Sequence, residues 1–267
     1  MNDRFLSNRT ALVTGSTSGI GLAIARALGA AGARIAMNGL GTPEQIDATI
    51  ASVRDAGATE ARHFDADLRD PAAIAAMMAA IDAWSPIDVL VNDAGIQRTA
   101  ALADMPVEHW DAVIAINLSA AFHTMQHALP GMAARGFGRV INIASVHGLV
   151  ASVNKAPYVA SKFGLVGLSK VAALEYAAVG TRESGGITVN CICPGWVDTP
   201  LIEPQVVARR GDGSRENALL SLLREKQPSL RISLPEEIAD MVLWLCRCEA
   251  HNLTGTAIPV DGGWTAQ

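Results

Sequence analysis

Tyr158 and Lys162 lie four residues apart and directly follow Pro157. Proline suits the first turn of a helix, and positions i and i+4 share a helical face, so the phenol and the ammonium are expected side by side. A free phenol titrates near pH ~10, and a neighbouring ammonium is expected to bring that value down by stabilising the phenolate. Tyr158 can then act as a general acid or base in a carbonyl/alcohol interconversion. Ser145 ends the apolar, β-branched run Arg139–Ala144, at the carboxyl end of a strand, where open α/β sheets hold their ligands. Its hydroxyl can hold a substrate oxygen there. Taken alone, Y-x-x-x-K reads more readily as an ordinary helical face, and Ser145 as a strand end. The surrounding elements reverse that weighting.

Strand-like and helical runs alternate from end to end, which argues for a Rossmann-type, doubly wound parallel sheet with helices on both faces. The first strand, Ala11–Thr14, runs into Gly15-Ser-Thr-Ser-Gly19-Ile-Gly21 and an apolar helix from Leu22 to Ala31. A glycine-rich turn between strand and helix lets a pyrophosphate approach the backbone N–H groups of the helix start. After the second strand, Arg34–Asn38, comes Gly39-Leu40-Gly41. It has neither the acid that binds a ribose 2′-hydroxyl nor an arginine for a 2′-phosphate, and the glycine loop adds only Ser16, Thr17 and Ser18. NAD is therefore the expected cofactor, with Leu40 packing on the adenosine.

A third strand is expected to end at Asp65-Ala-Asp67-Leu68, where Asp67 reads equally as an acceptor for the adenine amino group or as a solvated loop acid. A helix from Pro71 to Trp84 precedes a fourth strand, Ile87–Asn92, and the loop Asp93-Ala-Gly95-Ile-Gln97. Gln97 offers a donor and an acceptor near the site, although a loop glutamine is usually only solvated. Val107–Arg135 is expected to be one helix bent or broken at Pro130, with Asn117 tolerated inside it to hold a water. The helix from Tyr158 to about Ala178 is small or apolar around much of its circumference, so one side is expected to face the sheet and another a partner subunit. Pro194-Gly195 follows the sixth strand, Ile187–Cys193. Leu201–Gln227 is helix-like, interrupted by Arg210–Ser214, and reads at even odds as a lid or a structural excursion. A helix from Pro235 to Arg247 and a strand from Thr256 to Val260 complete the order.

Composition narrows the partner. With 267 residues, half of them hydrophobic, one domain with a large core is expected, and a net charge of −5 offers no basic footprint for nucleic acid. The first ten residues are charged where a signal peptide is apolar, and no run approaches the ~18 apolar residues of a membrane helix, so a cytoplasmic location is expected. The pairs Cys191/Cys193 and Cys246/Cys248 have no shared geometry for zinc, and His123/His127 lack the glutamate of H-E-x-x-H. No metal site is read.

Together, Thr14–Gly21, Asn92-Asp-Ala-Gly95, Asn117, Ser145, Tyr158-x-x-x-Lys162 and Pro194-Gly195 resemble the short-chain dehydrogenase/reductase family over essentially the whole chain. The longer stretches Ile143–Lys155, Cys193–Leu201, Glu225–Leu230 and Val260–Ala266 are similar to the members that oxidise (R)-3-hydroxybutyrate to acetoacetate with NAD. The resemblance implies a tetrad of Asn117, Ser145, Tyr158 and Lys162, with Lys162 also binding the nicotinamide ribose. It implies a carboxylate pocket of Gln97, His147, Lys155 and Gln205, closed by Trp196 and Trp264. It also implies cofactor contacts at Gly15, Thr17, Ser18, Gly19, Ile20, Leu40, Asp67, Leu68, Asp93, Ala94, Gly95, Pro194, Gly195, Val197 and Thr199, and a homotetramer. Two positions depart from the family pattern: Asp93 replaces the second asparagine of N-N-A-G, and the loop Thr181–Gly186 is longer. The competing readings are a family member acting on another hydroxy or keto substrate (3-oxoacyl, sugar or longer 3-hydroxy acid), a catalytically silent NAD sensor, and a structural oligomer.

Overall fold

The computed structural model describes residues 4–211 and 213–266. Met1–Asp3 of the charged N-terminal stretch, Asp212 of the interrupted segment and the final Gln267 lie outside the described residues. In chain order the elements are β1 (Thr10–Thr14), α1 (Gly19–Ala30), β2 (Arg34–Asn38), α2 (Pro43–Asp55), β3 (Glu60–His63), α3 (Pro71–Trp84), β4 (Val89–Asn92), α4 (Val107–Ile114) and α5 (Ala120–Arg135). They continue with β5 (Phe137–Ile143), α6 (Ala156–Tyr176), β6 (Gly186–Pro194), α7 (Glu203–Arg210), α8 (Arg215–Lys226), α9 (Pro235–Cys246) and β7 (Ala257–Val260).

The strands form one parallel seven-stranded sheet in the order β3-β2-β1-β4-β5-β6-β7. The order reverses between β1 and β4, and such a switch point opens a crevice at the carboxyl ends of the strands. Every residue of β1, β4 and β5 is buried, as expected for strands covered on both faces. The period-2 alternation divides them cleanly. Ala11, Val13, Val89 and Val91 pack with Ile24 and Leu28 of α1 and Ile238 and Val242 of α9. Leu12, Leu90 and Val140 face the other layer, with Met77 and Ile81 of α3 and Met125 and Leu129 of α5.

Most element ends fall within three residues of the sequence expectation, and two local features are not expected from it. β3 stops at His63, two residues short of Asp65. The helical run Val107–Arg135 is continuous as expected, with a π turn, Ala115–Ser119, around Asn117 between α4 and α5, and α5 continues through Pro130 to Arg135. Pro130 does not break the helix; Gln126, whose carbonyl loses its intrahelical partner, is solvent-exposed, so water can satisfy that group. A π turn is a common device for adjusting a functional side chain within a helix.

Leu12 sits fully buried at the centre of β1. Leu12→Ala is expected to lower unfolding stability by about 2–5 kcal/mol, measured by urea denaturation, because the surrounding two-layer packing cannot collapse into the space.

Candidate active site

The carboxyl ends of β1, β4, β5 and β6 converge on one cleft of about 930 Å³. It runs from Leu40 and Asp67 at one end, past the glycine loop, to Tyr158, Lys155, Gln205 and Trp264 at the other. Of the residues singled out from the sequence, all but Asn117 line this cleft; Asn117 sits just behind it.

The glycine loop is interlocked with the end of β4. Gly15 has φ +69°, and a Cβ there would meet the Ala94 backbone at 2.9 Å. A Cβ on Gly21 would strike the Gly15 carbonyl and lie 2.7 Å from Asp93 Oδ2. Ser18 occupies the N-cap of α1 without a side-chain cap bond; the Asp93 carboxylate takes the Gly21 N–H, and the Gly19 and Ile20 amides ahead of it remain for an anionic group. The donor set therefore fits a dinucleotide pyrophosphate.

At the adenosine end, Thr17 Oγ1 donates to the Leu40 carbonyl at 2.8 Å, and the Leu40 side chain is 89% exposed. Asn38 Nδ2 is used on the Phe64 and Ala66 carbonyls. Asp67 accepts from Arg69 Nε at 3.0 Å and Nη2 at 2.6 Å, which pulls its carboxyl down to about 2. Arg69 thus lines the cleft as a guanidinium that the β2 loop alone does not reveal.

Lys162 is buried and donates from Nζ to the Ile143 carbonyl at 2.7 Å; the Tyr158 ring centroid is 5.7 Å away. The Ser145 hydroxyl reaches the Tyr158 phenol, and Ser145 Oγ also accepts from the His147 N–H at 3.2 Å. The phenol is not lowered as the Tyr158/Lys162 spacing suggests. Burial pushes it up to about 12, the Ser145 bond opposes that rise, and the Asp93 carboxylate adds to it. Burial raises Asp93 and lowers Lys162, and each charge partly counters the shift of the other.

Asn117 Oδ1 accepts from the Ile96 N–H at 2.8 Å, and Nδ2 donates to the Ile96 carbonyl at 2.9 Å. Both bonds fix the loop after β4. A small cavity of about 10 Å³ lies between Asn117 and Lys162, close to the size that admits one water.

The far end is aromatic and cationic. Lys155 Nζ is 3.4 Å from His147 Nε2 and 5.1 Å from the Trp196 ring centroid. Since an ammonium can only donate, Nε2 is the acceptor and Nδ1 carries the proton, donated to the Val150 carbonyl at 3.2 Å. Burial and Lys155 push His147 down to about 4, so it is neutral near pH 7. Burial, reinforced by Arg209, lowers Lys155 to about 8. The His147 ring stands edge-on to Tyr158 and Trp264, and Trp196 lies 5.6 Å from Trp264. Trp196 Nε1 is buried without a partner. Gln97 and Gln205 complete the lining. Pro194, Gly195, Val197 and Thr199 line the wall between the two ends.

A model described as short chain dehydrogenase matches residues 9–209. The chain belongs to the short-chain dehydrogenase family. These enzymes use a nicotinamide cofactor. The chain is 46% identical over 97% of its length to a D-beta-hydroxybutyrate dehydrogenase of Rhizobium meliloti, covering 99% of that protein. It is 48% identical over 98% of its length to one of Cupriavidus necator, covering all of that protein. Among solved structures, a single-substitution variant of actinorhodin polyketide ketoreductase with NADPH superposes with a TM-score of 0.88 at 38% identity, covering 100% of both chains. The chain is accordingly an oxidoreductase of this family.

The fit of the glycine loop can be checked directly. Gly21→Ala forces the new methyl into the Gly15 carbonyl and the Asp93 carboxylate. It is expected to weaken NADH binding at least about tenfold in a fluorescence titration, while far-UV circular dichroism stays unchanged, because this glycine lets the start of α1 pack on the loop and a methyl would push apart the turn that shapes the pyrophosphate site.

Proposed function

We propose that the chain interconverts (R)-3-hydroxybutyrate and acetoacetate with NAD. The observation that carries this reading is the substrate end of the cleft: Lys155 and His147, with Trp196 and Trp264, stand beside the Tyr158/Ser145 pair. A carboxylate leaving water needs a cation and donors to replace its hydration. Lys155, Gln97 and Gln205 supply them, while the indoles enclose a short carbon chain. The two relatives named D-beta-hydroxybutyrate dehydrogenase support the same assignment.

Each residue then has a task. Ser145 holds the oxygen on the reacting carbon, and Tyr158 exchanges the proton with it. When bound, the nicotinamide group supplies the hydride acceptor or donor and, in its oxidised form, a positive charge. With its pKa near 12 the phenol keeps its proton at neutral pH, which suits it as the donor in the reductive direction. Oxidation requires that proton to leave first, and Lys162, held on the Ile143 carbonyl, is the cation of the chain placed to assist. Lys162 would also bind the nicotinamide ribose, and the small cavity between it and Asn117 would take the water of a proton relay.

NAD is favoured over NADP because the β2 loop brings no cation, and Arg69 is already bound in two-pronged fashion by Asp67. Gly15, Thr17, Ser18, Gly19 and Ile20 would hold the pyrophosphate, and Leu40, Asp67 and Leu68 the adenosine. Asp93, Ala94, Gly95, Pro194, Gly195, Val197 and Thr199 would line the nicotinamide side. The chain acts as one catalytic domain whose segment 201–227 serves as a lid. Phe163, Val171 and Leu174 leave an apolar stripe exposed on α6, which suits a homotetramer. No helix among the described residues is long and apolar enough to cross a membrane, and four unpaired cysteines suit a reducing cytoplasm.

NADH formation at 340 nm is expected with the (R) acid and NAD, and not with the (S) acid or with NADP. Tyr158→Phe is expected to lower kcat by about 10²–10⁴-fold, the usual worth of a positioned acid or base, with NADH binding retained. An inactive wild-type chain that still binds NADH would sink the substrate assignment. The pH dependence gives a second check. The Lys155 cation is present below about pH 8 and lost above it, so KM for the hydroxy acid should rise through that region. In Lys155→Met that limb should disappear and KM should be high throughout, with kcat much less affected.

A further inference from the structure

The segment 227–233 runs as a strap behind the substrate end of the cleft, bonded to Trp196 and to Gly262, and its polar hub is Gln227. This residue follows the last turn of α8, donates its N–H to the Leu223 carbonyl at 2.7 Å and is 1% exposed. Its Oε1 accepts from the Trp196 N–H at 3.0 Å, and its Nε2 donates to the Arg231 carbonyl. Two glycines let backbone approach the amide. A Cβ on Gly195 would lie 2.6 Å from Gln227 Oε1, and one on Gly262 would lie 2.8 Å from Gln227 Cγ.

The rest of the strap grips the same two strands of chain. The Ser233 N–H donates to the Trp196 carbonyl and the Asp198 N–H to the Ser233 carbonyl, both at 2.9 Å. The Ser229 N–H donates to the Gly262 carbonyl at 3.0 Å, two residues before Trp264. The turn passes through Leu230 at φ +53°, a left-handed conformation that a branched side chain keeps only when its surroundings over-determine it. Upstream, α8 is tied to α7 by Arg209 and Glu225 at 2.9 Å. Arg215 joins Asp198 at 2.6 Å and Glu203 at 3.0 Å.

A buried amide is costly unless both ends are bonded, and an apolar side chain of the same length would fill the space equally well. What the amide adds is direction. We propose that Gln227 is a positioning residue for the substrate: it fixes Trp196, and through the strap Trp264, so that the aromatic wall of the pocket follows the position of α8. Gln227 touches neither the reacting atoms nor the glycine loop and acts through the tryptophans. The proposal rests on the reading of this end of the cleft as the substrate pocket.

The test uses Gln227→Met, which keeps length and volume but makes neither bond, and Gly262→Ala, which presses on the strap from the Trp264 side. Both are measured for hydroxybutyrate kinetics, NADH affinity and backbone hydrogen exchange. In Gln227→Met, KM for (R)-3-hydroxybutyrate is expected to rise about tenfold, the worth of a typical lost polar interaction, with kcat within about threefold and the NADH dissociation constant within about twofold. Exchange protection of the peptide carrying Trp196–Asp198 is expected to fall while that of β5 is unchanged. Gly262→Ala should reproduce the KM effect if Gln227→Met does not fold. An unchanged KM, or KM and NADH affinity weakening in parallel, would overturn the proposal. If the wild-type chain does not turn over this acid, the substrate reading fails separately, and the exchange arm still decides whether Gln227 holds the wall: undiminished protection at Trp196 would refute it.

Discussion

The hydrogen bond from Lys162 Nζ to the Ile143 carbonyl fixes the register between the catalytic helix and the sheet. An ammonium taken out of water must find partners, and Ile143 is the last residue of β5, where a strand carbonyl becomes free. That bond places Tyr158, one turn earlier on α6, over Ser145, two residues beyond the strand. Gly148 keeps the intervening 3-10 turn close, since a Cβ there would come within 3.0 Å of the Lys162 carbonyl oxygen. Sheet, turn and helix thus meet at one buried cation. Asp93 enters the same region from the end of β4, so the charge on the lysine is balanced from a second strand.

The two ends of the cleft are governed by different physics. Around the glycine loop, recognition is carried by backbone groups and close approach, with few side chains extending into the space. The other end is lined instead by side chains: a depressed lysine, a neutral histidine and two indoles. Gln97, His147, Lys155 and Gln205 sit on loops and on α7 rather than in the packed layers, so they can change without disturbing the sheet.

Much of this architecture is legible in the sequence because its signals are local. The alternation of strand and helix, the glycine turn after β1 and the four-residue spacing of Tyr158 and Lys162 depend on neighbours along the chain. The features that escape depend on contacts between distant segments. Arg69 reaches the cleft only because β3 ends at His63 and the chain turns back through Asp67. Gln227 reads as the last residue of a lid until the Trp196 N–H is seen to bind it. The sequence places Asn117 inside a continuous helix, as found, but does not show the π turn there or the Asn117 amide clamping Ile96. The direction of the Tyr158 shift escapes for the same reason, since burial and Asp93 are properties of the packed site and not of the Y-x-x-x-K spacing.

The interlock of Gly15, Gly21, Asp93 and Ala94 is made entirely of protein atoms in mutual contact. A loop already held in this shape loses little conformational entropy when a dinucleotide arrives, whereas a loose glycine segment would have to be ordered residue by residue. The binding energy of the phosphates is then available for holding the rest of the cofactor in place. Association at this end becomes a matter of diffusion and orientation.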